Sequence, residues 1–232
     1  MISVNAPISF GKTSLTEILS DVLDSPSFYE DVEDVPTLRV FYSEGEESRS
    51  RLSFPLQLDF LVYRFNQLNQ AVKARNAVMD SSLLSDAIMA QNLYDRGEFG
   101  HTEFNLYQRI SKSMQSVVNG NTFDGYPDLV IFLDGDFEIM LDHIQKRGRE
   151  MESLDDDKIK YFYDVWQHYQ DWNKGYVQSP KVTIDMNKYD FVENLSDRKE
   201  VLEIILERMI ELGMLKPSEY EKIKVDKLEK LV

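Results

Sequence analysis

The sequence predicts an α/β protein built on a five-stranded parallel sheet flanked by helices. Short apolar runs of strand length alternate with longer helical patterns, which is typical of a parallel sheet with crossover helices. The first strand leads into a loop ending in Gly-Lys-Thr, and an amphipathic helix follows directly. A length of 232 residues with 42% hydrophobic content is sufficient for one such core. We therefore expect one domain over residues 1–232.

The first half of the chain contains three of the predicted strands. Each is a short apolar run, whereas the helices repeat apolar residues at intervals of three and four. In chain order, the elements are a strand through Ile2 and Val4, a helix over 15–23, a strand over 27–30, a helix over 51–74, a strand over 77–80 and a helix ending at Tyr94. The polar stretch 43–50 is expected to be a loop insertion.

The second half of the chain supplies the other two strands. In chain order, the elements are a helix over 102–118, a strand over 128–134, a strand over 181–185 and a tail helix with Leu202, Ile205, Met209 and Leu212 on one face. An aromatic run from Tyr161 to Trp172 has helical spacing. We interpret it as core or dimer packing in preference to a binding site.

Composition excludes several classes of function. The net charge is −15, from 41 acidic and 26 basic residues, so the surface repels a nucleic acid polymer. The chain has no cysteine, which excludes disulfides and thiolate catalysis and suits a reducing, cytoplasmic location. Three histidines lack metal-ligand spacing, and no apolar run is long enough for a membrane span or signal peptide.

Residues 6–13, here called the phosphate loop, carry the first candidate site. A strand, a loop, Gly11-Lys12-Thr13 and a helix in that order are typical of a site for the phosphates of a nucleotide. Backbone N–H groups and the helix N-terminus cradle phosphate oxygens in such a loop. Lys12 would neutralise the outer phosphates, and the Thr13 hydroxyl would bind Mg²⁺. The expected ligand is ATP or another nucleoside triphosphate.

The phosphate loop departs from the usual pattern G-x-x-x-x-G-K-[ST]. Ala6 stands in place of the first glycine, and Ser9 and Phe10 occupy positions that are often small. Glycine is favoured where φ is positive or where the backbone approaches a ligand closely, so each change is expected to distort or narrow the loop. The alternative is a strand-to-helix turn that contains Gly-Lys-Thr by coincidence.

Carboxylates end two further strands at the edge where α/β sheets bind ligands. Glu30 and Asp80 hold these positions, and phosphoryl transfer needs both a proton acceptor and a metal-side carboxylate. We interpret Glu30 as the base and Asp80, with Thr13, as the metal-side groups. The candidate cations for the migrating charge are Lys146, Arg147 and Arg149. A helix N-cap or a solvated acid is the alternative for each carboxylate taken alone.

In the order and spacing of these segments the sequence resembles the deoxyribonucleoside kinases, particularly the bacterial deoxyadenosine and deoxyguanosine kinases. Besides the phosphate loop, the segments are Phe28-Tyr29-Glu30-Asp31-Val32, Phe54-Pro55-Leu56-Gln57, Asp80-Ser81-Ser82, Asp134 with residues 143–152, Ile184-Asp185 and Tyr189-Asp190-Phe191. The resemblance covers nearly the whole chain. It implies a three-layer P-loop kinase fold, a lid at about 143–157, and a homodimer.

The resemblance also implies roles for individual residues. It assigns base recognition to Gln57, Arg64 and Asp86, the 3′-hydroxyl to Tyr42 and Glu152, and the donor adenine to Asp190 and Phe191. An amide, a guanidinium and a carboxylate together suit a base with both donors and acceptors. Purine deoxynucleosides are the first choice of acceptor, and deoxycytidine is the second. The alternative places Gln57 and Arg64 on an exposed polar helix face.

Departures from the family concentrate on phosphate handling. Ser81 replaces an arginine of the family's acid-Arg-Ser triplet, His143 stands where the lid's first arginine lies, and Ala90 replaces a phenylalanine expected to stack on the base. The leading hypothesis is transfer of the γ-phosphate of ATP to the 5′-hydroxyl of a purine deoxynucleoside. The alternatives are a nucleoside monophosphate kinase and a catalytically weak, nucleotide-binding regulatory subunit.

Overall fold

A computed structural model describes residues 1–29, 35–43, 46–118, 125–148 and 154–231, with backbone alone at 39, 41–43, 46–50, 84 and 157. Within these ranges the chain forms a five-stranded sheet in which every neighbouring pair is parallel. The strands are β1 (Ile2–Asn5), β2 (Ser27–Phe28), β3 (Val78–Asp80), β4 (Leu129–Asp134) and β5 (Lys181–Asp185). They lie in the order β2-β3-β1-β4-β5. The predicted α/β class is confirmed.

Helices connect the strands. They are α1 (Lys12–Leu23), α2 (Pro36–Ser43), α3 (Glu46–Ala71), α4 (Leu83–Asp95), α5 (His101–Gln115), α6 (Phe137–Arg147), α7 (Asp156–Gly175), α8 (Leu195–Glu211) and α9 (Pro217–Asp226), followed by a 3₁₀ helix at Leu228–Leu231. The expectation of a loop over 43–50 is wrong, because α3 already begins at Glu46. Glutamate and arginine are good helix formers, so a polar composition there does not exclude a helix.

Two hydrophobic layers cover the two faces of the sheet. On one face, Ile2 and Val4 pack with residues of α1, α6 and α8. On the other face, Met79 packs with residues of α3, α4 and α5. Strands buried on both faces read as continuous apolar runs, and LVIFLD of β4 is the longest of them. Helices on both sides of one sheet give the three layers that the sequence predicted.

The parallel sheet brings the predicted site segments to one edge. The carboxyl ends of parallel strands share an edge, where doubly wound sheets bind ligands. β1 is central and pairs with β3 and β4, so the phosphate loop lies beside the ends of both strands. Among the helices that the structure describes, none has the length and apolarity to cross a membrane.

Candidate active site

The phosphate loop ends at the N-terminus of α1. Gly11 is the N-cap and has φ 82° and ψ 24°, a left-handed conformation that favours glycine. A Cβ at this position would lie 3.1 Å from Cζ of Phe191, so glycine also fits the space. Lys12 opens the helix and is half-buried, and the first turn contains no acidic residue. The positive end of the helix dipole therefore stays available to an anion.

The lost glycine and the added aromatic ring are both accommodated. Ala6 is buried, and it is not among the non-glycine residues with positive φ in the described chain. The left-handed position falls instead on Ser9, with φ 64°. The Phe10 ring is buried in the core below the sheet edge, where it packs against Gly135. Neither substitution therefore places a side chain over the helix N-terminus.

Thr13 and Asp80 form a ready pair of oxygen ligands. The Thr13 hydroxyl donates to Oδ2 of Asp80 over 2.5 Å, which joins the start of α1 to the end of β3. Hydroxyl and carboxylate oxygens are ligands that Mg²⁺ prefers, and Mg²⁺ commonly takes its other ligands from phosphates and water. In the part of the chain that the structure describes, no group of three or more His, Cys, Asp or Glu side chains forms a metal cage. The Thr13 and Asp80 oxygens are therefore suitable ligands for a Mg²⁺ ion whose other ligands come from the phosphates of a nucleotide and from water.

A buried ion pair lies next to this position. Nε of Arg64 donates to Oδ1 of Asp86 over 2.8 Å, and one guanidinium nitrogen donates to the backbone oxygen of Asp80 over 2.8 Å. The two side chains are 4% and 11% exposed. Gln57, two helical turns before Arg64 on α3, is 6% exposed. The alternative of an exposed polar face on α3 is therefore wrong.

Two α3 side chains that the sequence reasoning missed hold the end of β2. The backbone oxygen of Tyr29 accepts from the Tyr63 hydroxyl over 3.1 Å and from the amide nitrogen of Gln67. This carbonyl immediately precedes Glu30, which lies outside the described residues. The spacing of four residues between Tyr63 and Gln67 was a usable signal, because such residues share a helix face.

Tyr107 of α5 is a further residue that the sequence did not indicate. Its side chain is fully buried, and its hydroxyl has no hydrogen-bond partner among the described residues. Burial raises the pKa of Tyr107 well above its usual value; the charge of Asp86 adds to this rise, and that of Arg64 opposes it. The hydroxyl therefore belongs to the same electrostatic environment as the Arg64–Asp86 pair.

The serines after β3 have structural roles. Ser81, in the position of the family's arginine, is buried with φ 76°, and its amide donates to the carbonyl of Val4 over 3.0 Å. Ser82 caps α4 by accepting from the Ser85 amide. The Asp80-Ser81-Ser82 segment thus fixes the end of β3 against β1 and starts α4. A helix cap, one of the alternatives for Asp80, is provided by Ser82 instead.

The loop after β5 lies against the phosphate loop. Phe191 is fully buried, and its backbone oxygen accepts from Nε of Arg198 over 2.8 Å. Asp190 accepts from the amide of Glu193 over 3.1 Å. The Phe191 ring is part of the core, and the contact of Asp190 and Phe191 with the donor adenine stays a prediction.

The remaining predicted residues are only partly described. Arg147 is exposed in the last turn of α6, and Gly148 ends this helix with φ 64°. A cation in the last turn of a helix is favourable, because it interacts with the negative end of the helix dipole. Four predicted site positions lie outside what the structure describes: Glu30, Arg149, Glu152 and the side chain of Tyr42.

The parallel sheet, the phosphate loop at a helix N-terminus and the Thr13–Asp80 pair together are typical of a P-loop kinase. Residues 2–211 match the family model for deoxynucleoside kinase, and the chain belongs to this family. It is therefore a phosphotransferase that acts on a hydroxyl acceptor, as the leading hypothesis from the sequence holds. The family gives no support to the alternatives of a monophosphate kinase or a regulatory subunit.

Similar proteins agree with this assignment. The chain is 36% identical to a deoxyadenosine kinase of Lactobacillus acidophilus, covering 93% of this chain and 99% of the relative. It is 37% identical to a deoxyguanosine kinase of Lactobacillus johnsonii, covering 92% and 94%. A solved deoxyadenosine kinase from M. mycoides with bound dATP is 25% identical and superposes with a TM-score of 0.69, covering 90% of this chain and 98% of that one.

Proposed function

We propose that the protein transfers the γ-phosphoryl group of ATP, or of another nucleoside triphosphate, to the 5′-hydroxyl of deoxyadenosine or deoxyguanosine. The main support for the proposal is the buried Arg64–Asp86 pair, which lies beside the Thr13–Asp80 pair. It provides a base-reading polar group next to a phosphate-side group at one edge of the sheet. Relatives named for both purine deoxynucleosides support the choice of base, with deoxycytidine as the second choice.

The acceptor base would bind along the inner face of α3. Gln57 offers a donor and an acceptor, Arg64 offers donors and Asp86 accepts, which suits the mixed pattern of a purine edge. All three side chains are buried, so water cannot replace a hydrogen bond that the base fails to make. A base that leaves one of these side chains unpaired is therefore bound more weakly. Tyr42 and Glu152 would hold the 3′-hydroxyl.

Glu30 would accept the proton of the 5′-hydroxyl. A proton acceptor has to lie within hydrogen-bond reach of the attacking oxygen. The preceding carbonyl, that of Tyr29, is held by Tyr63 and Gln67. These two bonds fix the backbone at the point where the chain enters Glu30.

The phosphate loop would bind the donor's phosphates through residues 9–13, with Asp190 and the backbone of Phe191 near the adenine. Lys12, the N-terminus of α1, Arg147 and Arg149 would stabilise the charge that moves between donor and acceptor. Thr13 and Asp80 would hold Mg²⁺. When bound, Mg²⁺ offsets the negative charge of the triphosphate.

A product assay tests the function. The four deoxynucleosides are incubated with ATP or GTP, and products are separated by chromatography. We expect dAMP or dGMP to form fastest. Formation of diphosphates from added dAMP or dGMP, with no phosphorylation of deoxynucleosides, would overturn the proposal.

The Glu30→Gln variant tests the proton acceptor. We expect at least a 100-fold loss of kcat with retained deoxynucleoside binding, because general base catalysis contributes about 10²- to 10⁴-fold. Glu221→Gln, on the exposed side of α9, is the matched control. A fully active Glu30→Gln enzyme would refute the role of Glu30.

We also propose that the chain is a single domain that works as a cytoplasmic homodimer. The absence of cysteine from the sequence suits a reducing compartment. Tyr163 on α7 is 46% exposed and gives that helix an aromatic outer surface. Light scattering after size-exclusion chromatography measures the oligomeric state, and a monomer at micromolar concentration would contradict the homodimer.

A further inference from the structure

His143 of α6 contacts the phosphate loop, although 134 residues separate it from Ser9. Its Nδ1 bonds to the backbone oxygen of Ser9 at 3.3 Å. Its ring meets the Phe10 ring edge to face, with 6.1 Å between centroids and an interplanar angle of 89°. Ser9 itself has φ 64°, a strained conformation for a residue other than glycine.

We propose that His143 is a positioning residue that holds the phosphate loop in its nucleotide-binding conformation. The proposal rests on the proposed kinase function and adds a role for a residue outside the assigned site. A trans peptide unit points its C=O and N–H in opposite directions. With the Ser9 carbonyl bound to His143, the N–H of Phe10 is directed away from α6.

Packing around Phe10 supports this role. A Cβ on Gly135 would lie 3.2 Å from Cζ of Phe10, so the ring occupies the space that the glycine leaves. His143 contacts the same ring from α6. Contacts with α6 and Gly135 thus hold both the Phe10 side chain and the Ser9 carbonyl in place. The usual phosphate loop has small residues at these positions.

The last turns of the same helix are also the first part of the expected lid, 143–157. Arg147 lies one turn after His143 on α6, so one rigid element carries both the loop contact and a predicted phosphate-binding cation. Displacement of α6 would move both together. His143 therefore connects the phosphate loop to the helix that contains Arg147.

The hydrogen bond specifies which substitutions test the idea. A carbonyl only accepts, so Nδ1 of His143 must carry the hydrogen. Asparagine presents an amide N–H near the position of Nδ1, whereas phenylalanine keeps a ring without a donor. His143→Asn and His143→Phe therefore separate the hydrogen bond from the ring packing. His168→Asn is the matched control, since Nδ1 of His168 contacts a carbonyl within α7, that of Asp164.

Steady-state kinetics with ATP and deoxynucleoside varied in turn give the result. We expect His143→Phe to raise KM for ATP about 3- to 10-fold, the loss of one hydrogen bond, with KM for the deoxynucleoside unchanged. His143→Asn should stay within about twofold of the wild type. An unchanged KM for ATP in His143→Phe, or an equal rise of both KM values, would overturn the proposal.

Calorimetric titration with Mg-ATP separates the two proposals. If the wild type binds Mg-ATP but phosphorylates no deoxynucleoside, the proposed function fails while the role of His143 is still measured by affinity. Weaker Mg-ATP binding by His143→Phe than by His143→Asn or His168→Asn would support it. Equal affinities of all three variants would overturn it, whatever the acceptor.

Discussion

Replacement of Arg64 by methionine tests the buried polar centre of the site. The substitution removes the guanidinium that bonds to Asp86 and to the backbone oxygen of Asp80, and it leaves an unbranched apolar side chain that fills part of the same space. The Asp86 carboxylate then loses this cation although its side chain is only 11% exposed to solvent. A buried carboxylate without its cation is costly, so the variant should lose both stability and acceptor binding.

The burial of the pair sets the magnitude. Removal of one partner of a buried ion pair costs about 3–5 kcal/mol in the free energy of unfolding. For a domain of this size, each 1 kcal/mol lowers Tm by about 2–4 °C, so a fall of about 6–20 °C is expected. KM for the deoxynucleoside should rise about 10- to 150-fold, the equivalent of one charge-assisted hydrogen bond.

Two controls make the measurement decisive. Arg208→Met breaks a comparable but exposed pair with Glu211 on α8 and should cost about 0–1 kcal/mol. The double variant Arg64→Met with Asp86→Leu replaces the pair by apolar side chains and should recover most of the lost stability without recovering acceptor binding. Thermal unfolding and kinetics measure both effects. A fall in Tm for Arg64→Met no larger than that for Arg208→Met would refute the reasoning.

Three further predictions follow from single contacts. Tyr107→Phe removes a buried hydroxyl that has no hydrogen-bond partner in the described chain, so Tm should be unchanged or rise by about 2–4 °C. A clear fall in Tm would show that the hydroxyl is hydrogen-bonded in solution. Gly135→Ala would place a Cβ 3.1 Å from Cβ of Met186, and urea unfolding should show a loss of about 1–3 kcal/mol in the free energy of unfolding. Gly175→Ala is the control and should cause no such loss, because the space around Gly175 is open. Thr13→Ala should raise the Mg²⁺ concentration needed for half-maximal activity, and Thr13→Ser should restore it; an identical Mg²⁺ dependence of all three enzymes would remove Thr13 from the metal site.

Local sequence patterns predicted most of the fold. Short apolar runs identified the strands and helical periodicity identified most of the helices, because both are properties of residues close together in the chain. The expectation of a loop at 43–50 was wrong, because a polar segment there begins a helix, and the patterns did not predict α2, α6 or α9. They also left open whether Gln57 and Arg64 are exposed, because α3 carries polar groups on more than one side.

The sequence by itself determined the α/β class, the position of the phosphate loop and, through its resemblance, the kinase family. These follow from patterns within short segments and from their order along the chain. Only the tertiary structure decided how the altered loop is supported, since Ser9 meets His143 and Thr13 meets Asp80 across long separations. Contacts of this kind depend on how helices and strands pack, and no local pattern records them.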